Sequence, residues 1–158
     1  MKKIYLSGKR GEGKFTLVDN QDYEYLNQWK WHLTTNGYAR SHEKLTGKEI
    51  FMHRLIMKIK TDRSSIQIDH ININKLDNRR SNLRIVTPAQ NRKNRALQKN
   101  NTSGYKGIYW AGYANSWRVI LSLAYKQISL GYYKKISDAI KIRDAGIKKY
   151  YGEYGRLA

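Results

Sequence analysis

The sequence predicts an α+β protein: a strand–loop–strand–helix core beside a β-rich N-terminal region, then a three-stranded antiparallel sheet packed on one helix. Two observations carry this prediction. Between Gln67 and Asn91, two short apolar runs flank an Asn-rich polar stretch and lead into helix-start chemistry. From Tyr105 onward, three runs rich in β-branched and aromatic residues precede a stretch with helical periodicity. A chain of 158 residues has room for two or three such small units.

The N-terminal zone, residues 1–50, is predicted to be a β-rich scaffold for the zone that follows. Its predicted elements are a turn at 11–13, a strand at 15–19, a short helix at 22–29 and strands at 31–35 and 38–40. Asn36-Gly37 separates the last two runs, and this dipeptide is a strong hairpin signal because both residues accept positive φ.

The central zone, residues 51–98, begins with a predicted covering helix. Glu49–Lys58 carries apolar residues at 52, 55 and 56, which is helical spacing. A second helix is predicted after the last strand of this zone, where Thr87 can serve as N-cap and Gln90 can complete a capping box. Asn91 then lies in or just past the first turn, near the positive helix end, where a phosphate is favoured.

The C-terminal zone follows a polar linker at 99–104 and covers residues 105–158. Strands are predicted at 105–110, 117–123 and 127–133, and a helix runs from about Ser137 to about Tyr151. Ser137 is the predicted helix cap, and Gly152 suits the position after the helix end.

Charge and cysteine content restrict the function. The chain has 31 Lys and Arg against 12 Asp and Glu, a formal net charge of +19, which favours a nucleic-acid partner. Ribosomal proteins and membrane-surface binders share such a charge. The absence of Cys excludes disulfides, cysteine zinc sites and thiol catalysis. Apolar runs are too short for a spanning helix or a signal peptide, so we expect an intracellular protein without a membrane partner.

Asp69 and His70 place an acid beside an imidazole at the end of an apolar run. An imidazole whose pKa lies near the working pH can take a proton from water, so His70 is the candidate general base. The alternative is a strand histidine held by ordinary hydrogen bonds. Asn82 follows 13 residues after Asp69, and Asn91 follows 9 residues after Asn82.

This layout closely resembles the His-Asn-His (HNH) endonuclease motif of the ββα-metal nucleases, with steps like those of phage homing endonucleases. The resemblance implies that His70 is the general base and that Asp69 and Asn91 hold a divalent metal. The ion would be Mg²⁺, with Mn²⁺ as the alternative and no zinc. Asn82 would brace the loop and help to orient the histidine. Composition alone makes Asn78 a close rival of Asn82.

Basic residues surround the motif and are predicted to hold the DNA backbone, with a solvated face as the alternative. They are Arg79, Arg80, Arg84, Arg92, Lys93 and Arg95. His53 matches a His-Arg-Leu segment upstream of the motif in relatives; we interpret it as packing first and as a phosphate contact second. His32 and His42 lack a partner pattern and are interpreted as non-catalytic.

The C-terminal zone resembles the Apetala-two (ethylene-response-factor-type) DNA-binding domain. The resemblance lies in residues 103–108, 117–119, 130–133 and 150–152. It implies a sheet that enters the major groove of double-stranded DNA, with contacts from Lys106, Trp110, Trp117 and Arg118. Trp117 serves equally well as a core residue, and the strands carry fewer arginines than plant members do.

The first hypothesis is therefore a metal-dependent homing-type DNA endonuclease, acting as a monomer on double-stranded DNA in the cytoplasm of a bacterial host, without a protein partner. A DNA-binding regulator with an inert nuclease fold is the second hypothesis. An RNA-binding or ribosomal protein is the third. Intact Asp69, His70, Asn82 and Asn91 argue against the last two.

Overall fold

The chain divides into two compact units, Met1–Pro88 and Ala89–Ala158. The computed structural model describes residues 1–43, 45–59, 66–94, 97, 100–123 and 126–157. Both units combine helices with antiparallel sheets, which confirms the predicted α+β class. Within these residues, no helix has the length and apolar content needed to span a membrane.

The first unit is built from small antiparallel sheets. Its elements are β1 (Lys2–Tyr5), β2 (Phe15–Val18), α1 (Asn20–Asn27), β3 (His32–Leu33), β4 (Ala39–His42), β5 (Glu49–Phe51), α2 (Met52–Ile56), β6 (Gln67–His70) and β7 (Leu83–Val86). Strand β1 pairs with β2, β4 lies between β3 and β5, and β6 pairs with β7. The predicted β3–β4 hairpin is confirmed, and Gly37 takes φ +84° at its turn.

One hydrophobic core unites the N-terminal zone with the central zone. Its buried members are Ile4, Leu6, Val18, Leu26, Trp31, Ala39, Met52, Ile56 and Leu83. Removing these side chains from water is the main favourable contribution to folding of this unit. Residues of the N-terminal strands thus pack in the same core as Leu83 of strand β7.

The predicted helix over Glu49–Lys58 is wrong in its first half. Glu49–Phe51 is strand β5, and only Met52–Ile56 is helical. Strand β5 pairs with β4, with Ser41 opposite Ile50. The two strands are close in sequence, but the apolar spacing at 52, 55 and 56 describes only the helical part and gives no sign of this pairing.

The second unit is a three-stranded antiparallel sheet, order β10-β9-β8, with a long helix on one face. Its elements are β8 (Ile108–Ala111), β9 (Ser116–Leu123), β10 (Lys126–Tyr133) and α4 (Ile136–Tyr151). A short helix α3 (Pro88–Lys93) stands at the boundary of the units. Ile108, Val119 and Ala139 form the buried centre between sheet and helix.

Close packing of α4 on the sheet depends on Gly146. A Cβ atom at this position would lie 2.5 Å from Leu130 Cδ1, so a larger residue would push the helix away. The cap prediction at Ser137 is wrong, because α4 begins at Ile136 and the carbonyl of Lys135 already accepts the first backbone bonds. Gly152 ends the helix with φ +55°, a conformation that favours glycine.

Candidate active site

Strands β6 and β7 bring Asp69 and His70 together at the end of an antiparallel hairpin. Asp69 lies opposite Arg84, and His70 lies opposite Leu83. Both Asp69 and His70 are buried. Burial of an acid and an imidazole is unfavourable unless their polar atoms find partners, so the surrounding contacts define the site.

The partner of Asp69 is Arg84. Arg84 Nε and Nη2 donate to Asp69 Oδ2 at 2.9 and 2.7 Å. The side chain of Asp69 is 7% exposed and that of Arg84 is 16% exposed, so this ion pair is shielded from solvent. Arg84 thereby compensates the charge that Asp69 brings into the interior.

His70 is hydrogen-bonded through one ring nitrogen. Its Nε2 lies 3.2 Å from Asn78 Oδ1. Burial lowers the pKa of His70 and outweighs the opposing effects of Asn78 and the nearby carboxylates. The neutral ring is therefore favoured, and a neutral imidazole always offers one nitrogen that can accept a proton.

Aromatic rings enclose the imidazole of His70. Its ring centroid lies 6.0 Å from that of Tyr38 and 5.4 Å from that of His53. His53 also packs against Phe51, with the ring centroids 5.7 Å apart. His53 is buried, which fits the interpretation of this residue as packing.

Asn82 braces the loop between β6 and β7. Its Oδ1 accepts from the backbone N–H of Asn72 at 3.0 Å, and its Nδ2 donates to Asp77 O at 2.8 Å. These two bonds join Asn82 to the start and the middle of the loop, and its role in the reaction stays a prediction. The ring nitrogen of His70, however, is held by Asn78, the residue that composition had made its rival.

A buried carboxylate, Asp77, organises the same loop. Asp77 accepts from Arg79 Nε at 2.7 Å and from Asn72 Nδ2 at 2.8 Å. The hydrogen bond with Arg79 is the largest cause of the lowered pKa of Asp77. Charge-assisted bonds therefore help to fix the loop, beside the packing of Leu76 against the core.

Asn91, the second expected metal ligand, lies on α3. It belongs to the second unit, whereas Asp69 and His70 belong to the first. Among the described residues, no group of three or more His, Cys, Asp or Glu could hold a metal ion. Carboxylate and amide oxygens are nevertheless the donors that Mg²⁺ prefers. The donor chemistry of the two residues thus fits a magnesium ion.

Residues 51–93 match a protein-family model described as HNH endonuclease. This segment contains β6, β7, the loop between them and α3. The segment is therefore similar to HNH endonuclease domains. The match covers Asp69, His70, Asn82 and Asn91, whose individual roles remain predictions.

Two curated proteins are similar to this chain. An uncharacterized HNH endonuclease of Acanthamoeba polyphaga mimivirus is 38% identical over 102 residues, 63% of this chain and 51% of that protein. Protein 3.8 of Escherichia phage T7 is 40% identical over 60 residues, 38% of this chain and 50% of that protein. The chain thus spans about half the length of each. No solved structure matches the chain significantly.

Three of the arginines that were predicted to contact DNA have acidic partners. Arg79 binds Asp77, and Arg84 binds Asp69. Arg80 donates to both oxygens of Asp22, at 2.8 and 2.7 Å. Contact of these arginines with DNA stays a prediction, and it would have to share or replace these ion pairs. Arg95 lies outside the described residues.

Two predicted DNA contacts of the second unit, Lys93 and Lys106, make contacts within that unit that involve helix α3. Lys106 Nζ donates to the carbonyls of Arg92 and Lys93 at 3.1 and 3.0 Å. Lys93 Nζ lies 5.1 Å from the ring centroid of Tyr151. Lys106 thus satisfies carbonyl groups at the helix C-terminus, where a positive charge is favourable.

The other predicted DNA contacts of the second unit lie on opposite faces of the sheet. Trp110 pairs with Trp117, with ring centroids 5.0 Å apart, and Trp117 packs against the core of Ile108 and Val119. Arg118, one residue further, points the other way. The geometry therefore assigns packing to Trp117 and leaves Arg118 on the open face.

Sequence reasoning missed the neighbours of Arg118. Tyr109 and Tyr132 lie opposite Arg118 on the flanking strands and are 53% and 44% exposed. The Arg118 guanidinium lies 5.7 Å from the ring centroid of Tyr132. Both tyrosines lie within predicted strands, but only the register of the sheet could show that the three residues form one row.

Acid should destabilise this protein through His53, whose pKa is lowered to about 3 by burial and by His70. An unfolded histidine titrates near 6.5. Below that pH the unfolded state binds more protons, so the free energy of unfolding should fall by up to about 1.4 kcal/mol per pH unit. We expect His53→Gln to flatten this slope between about pH 6.5 and 5 in denaturant titrations, relative to wild type. The exposed His42→Gln variant is the control, and an equal slope in all three proteins would contradict the prediction.

Proposed function

We propose that this chain is a metal-dependent endonuclease of the homing type that hydrolyses a phosphodiester bond of double-stranded DNA. His70 acts as the general base, and Asp69 and Asn91 hold a divalent cation, Mg²⁺ before Mn²⁺. The protein acts as a monomer on DNA inside a bacterial host. The names of the relatives, a viral HNH endonuclease and a phage protein, agree with this proposal.

The observation that carries the proposal is the environment of His70 within an HNH endonuclease segment. The imidazole is buried, its pKa is lowered, and one ring nitrogen is tied to Asn78. A histidine with a packing role alone needs no such arrangement beside an acid. A neutral, oriented imidazole is what removal of a proton from water requires.

The chain supplies orientation and proton transfer in this reaction. His70 takes the proton of the attacking water, Asn82 keeps the β6–β7 loop in shape, and the packed rings of Tyr38 and His53 restrict the imidazole. When bound by Asp69 and Asn91, the cation would neutralise charge on the phosphate. The net charge of +19 favours the DNA backbone as the partner.

The second unit is proposed as an Apetala-two-like DNA reader. Its three-stranded sheet packs on α4 with one face, and on the other the half-buried Arg118 lies between the exposed Tyr109 and Tyr132. An arginine can read guanine in the major groove, and tyrosines can pack against sugar and base edges. Trp110, half exposed on the edge strand, is a further proposed contact, but it lies on the face of its partner Trp117 and not in this row.

One observation favours a second candidate, a DNA-binding regulator with an inert nuclease fold. The Asp69 carboxylate is paired with Arg84 and is thereby neutralised. Cleavage of supercoiled plasmid with and without Mg²⁺ separates the two candidates. Nicked or linear product that depends on Mg²⁺ supports the endonuclease, whereas binding without product supports the regulator.

Asp69→Asn and Asn91→Ala should both raise the Mg²⁺ concentration needed for half-maximal cleavage and lower the maximal rate. Asn91→Ala removes a proposed ligand oxygen, and Asp69→Asn replaces a charged carboxylate with a neutral amide, which binds the ion more weakly. Asn91→Asp should retain part of the activity, because a carboxylate can replace the amide oxygen. The measurement is a magnesium titration of single-turnover cleavage.

Asp22→Asn is the matched control for this titration. It weakens the ion pair with Arg80, which donates through the same two nitrogens as Arg84 does to Asp69, but to both carboxylate oxygens. A shift in the magnesium requirement of Asp69→Asn alone is expected. An equal shift in both variants would show that the lost ion pair, and not a lost ligand, is responsible.

A further inference from the structure

The amide of Asn78 has only one orientation that satisfies its neighbours. Asn78 is fully buried. Its Nδ2 lies 2.8 Å from Thr16 Oγ1 and 3.5 Å from Lys75 O, and its Oδ1 lies 3.2 Å from His70 Nε2. The opposite orientation would place the amide oxygen against a carbonyl oxygen, which cannot donate.

Thr16 determines this orientation from the other side. Its hydroxyl donates to Leu76 O at 2.7 Å, and a backbone carbonyl can only accept. Its other acceptor in reach, Met52 Sδ at 3.8 Å, is a weak one. Because the single hydroxyl hydrogen is committed to Leu76, Thr16 Oγ1 must accept from Asn78 Nδ2.

Backbone bonds fix Thr16 in register with the loop. Leu17 N donates to Leu76 O, and Asn78 N donates to Leu17 O, both at 2.8 Å. Strand β2 therefore forms a short parallel bridge with the loop at Asp77. Thr16 itself is fully buried and cannot exchange this arrangement for water.

We propose that Thr16 and Asn78 are positioning residues for the hydrolysis, holding His70 in the tautomer that carries its proton on Nε2. Each hydrogen bond of the series can run in only one direction: His70 Nε2–H donates to Asn78, Asn78 donates to Thr16, and Thr16 donates to the carbonyl of Leu76. We call this series the relay. The proton-accepting atom of His70 is therefore Nδ1. This inference rests on the proposed function for its catalytic meaning, but the tautomer is a property of the protein alone.

The hydrolysis begins with the transfer of a proton to His70. A water molecule gives a proton to His70 Nδ1 while its oxygen forms a bond to phosphorus. The bond from phosphorus to the bridging oxygen breaks, and that oxygen leaves with the electron pair and is protonated by solvent. His70 then carries both ring protons, and Nε2–H still donates to Asn78, so the relay is unchanged during the step.

The relay reaches outside the segment that matches the HNH model. Thr16 lies in β2, whereas the match covers residues 51–93. The N-terminal strands thus have a role beyond packing, since they contribute the hydroxyl that decides which way Asn78 faces.

The tautomer can be read directly in the full-length wild-type protein, without metal or DNA. Long-range ¹H–¹⁵N correlation spectra at neutral pH distinguish a protonated Nε2 from a protonated Nδ1, and His70→Gln identifies the signals among the 4 histidines. We expect a single Nε2–H form for His70. A protonated Nδ1, or averaged shifts of both tautomers, would overturn the inference whatever the activity.

Variants of Thr16 test the relay. Thr16→Val removes the hydroxyl at nearly constant shape, so the His70 shifts should move toward the average of both tautomers. Single-turnover cleavage should slow by about tenfold, the size of one lost positioning hydrogen bond, with DNA affinity unchanged. Thr16→Ser keeps the hydroxyl and should restore both the spectrum and most of the rate.

Ser41→Ala is the matched control for stability. Ser41 is buried in the same unit, and its hydroxyl also donates to a backbone carbonyl, Lys30 O, at 2.8 Å. It should lose comparable stability in thermal unfolding without changing the His70 spectrum or the rate. Equal losses of rate in Thr16→Val and Ser41→Ala would overturn the positioning role.

Failure of the proposed function would look different. A wild-type protein with the Nε2–H form of His70 that never cleaves DNA with Mg²⁺ would overturn the endonuclease and the catalytic meaning of the relay together. Cleavage by a wild-type protein whose His70 carries the other tautomer would overturn the relay alone.

Discussion

His70→Ala should abolish most DNA cleavage and leave DNA binding intact. Loss of a general base typically lowers a rate by ~10²–10⁴-fold. Binding depends instead on the basic surface, which this substitution does not change. Single-turnover cleavage of a plasmid, measured beside a gel-shift titration of the same DNA, separates the two effects.

His32→Ala is the control for this prediction. His32 is also partly buried, and its Nδ1 lies 3.2 Å from Ser7 O, but it has no acidic neighbour in sequence and lies outside the HNH segment. We expect normal cleavage by this variant. Near-normal cleavage by His70→Ala would exclude His70 from the mechanism.

The central hairpin could be predicted from the sequence because its signals are local. Two apolar runs, an Asn-rich loop and a Pro at the helix start indicated β6, β7 and α3 in the right order. The spacing of Asp69, Asn82 and Asn91 then matched a known motif, and the HNH family model covers the same segment.

Other features of the site depend on contacts between distant residues and left no local signal. The bond from Asn78 to Thr16 joins residues 62 positions apart, and the pair of Arg80 with Asp22 joins residues 58 apart. Composition indicated basic residues near the motif, but only the fold shows that Arg79, Arg80 and Arg84 are already paired with acids.

Removal of residues 99–158 should weaken DNA binding strongly and make it less selective. The shortened chain keeps Asp69, His70, Asn82 and Asn91 but loses the sheet with Arg118 and the exposed tyrosines. Two linked binding elements raise each other's effective concentration, and this gain can reach ~10²–10⁴ in affinity. The dependence of log K on log salt should also become shallower, because fewer phosphates are neutralised.

The shortened chain retains the hydrophobic core of the first unit, so we expect it to fold. Every buried residue in the core of the first unit lies between Ile4 and Leu83. Helix α3, however, loses the bonds that Lys106 donates to its last carbonyls. A helix of six residues is marginal without such support, so Asn91 should be held less firmly. We therefore expect residual, magnesium-dependent nicking only at high protein concentration.

Circular dichroism of the shortened chain comes first, because loss of its fold would mean that the second unit merely supports the nuclease core. Arg118→Ala in the full chain then tests the same idea without truncation. It should lower affinity and the salt slope while nicking at saturating protein stays normal, since α3 keeps Lys106. The exposed Lys126→Ala, at the far end of β10, is its matched single-charge control. If the shortened chain folds and binds its target with unchanged affinity, selectivity and salt slope, the second unit is not the DNA reader.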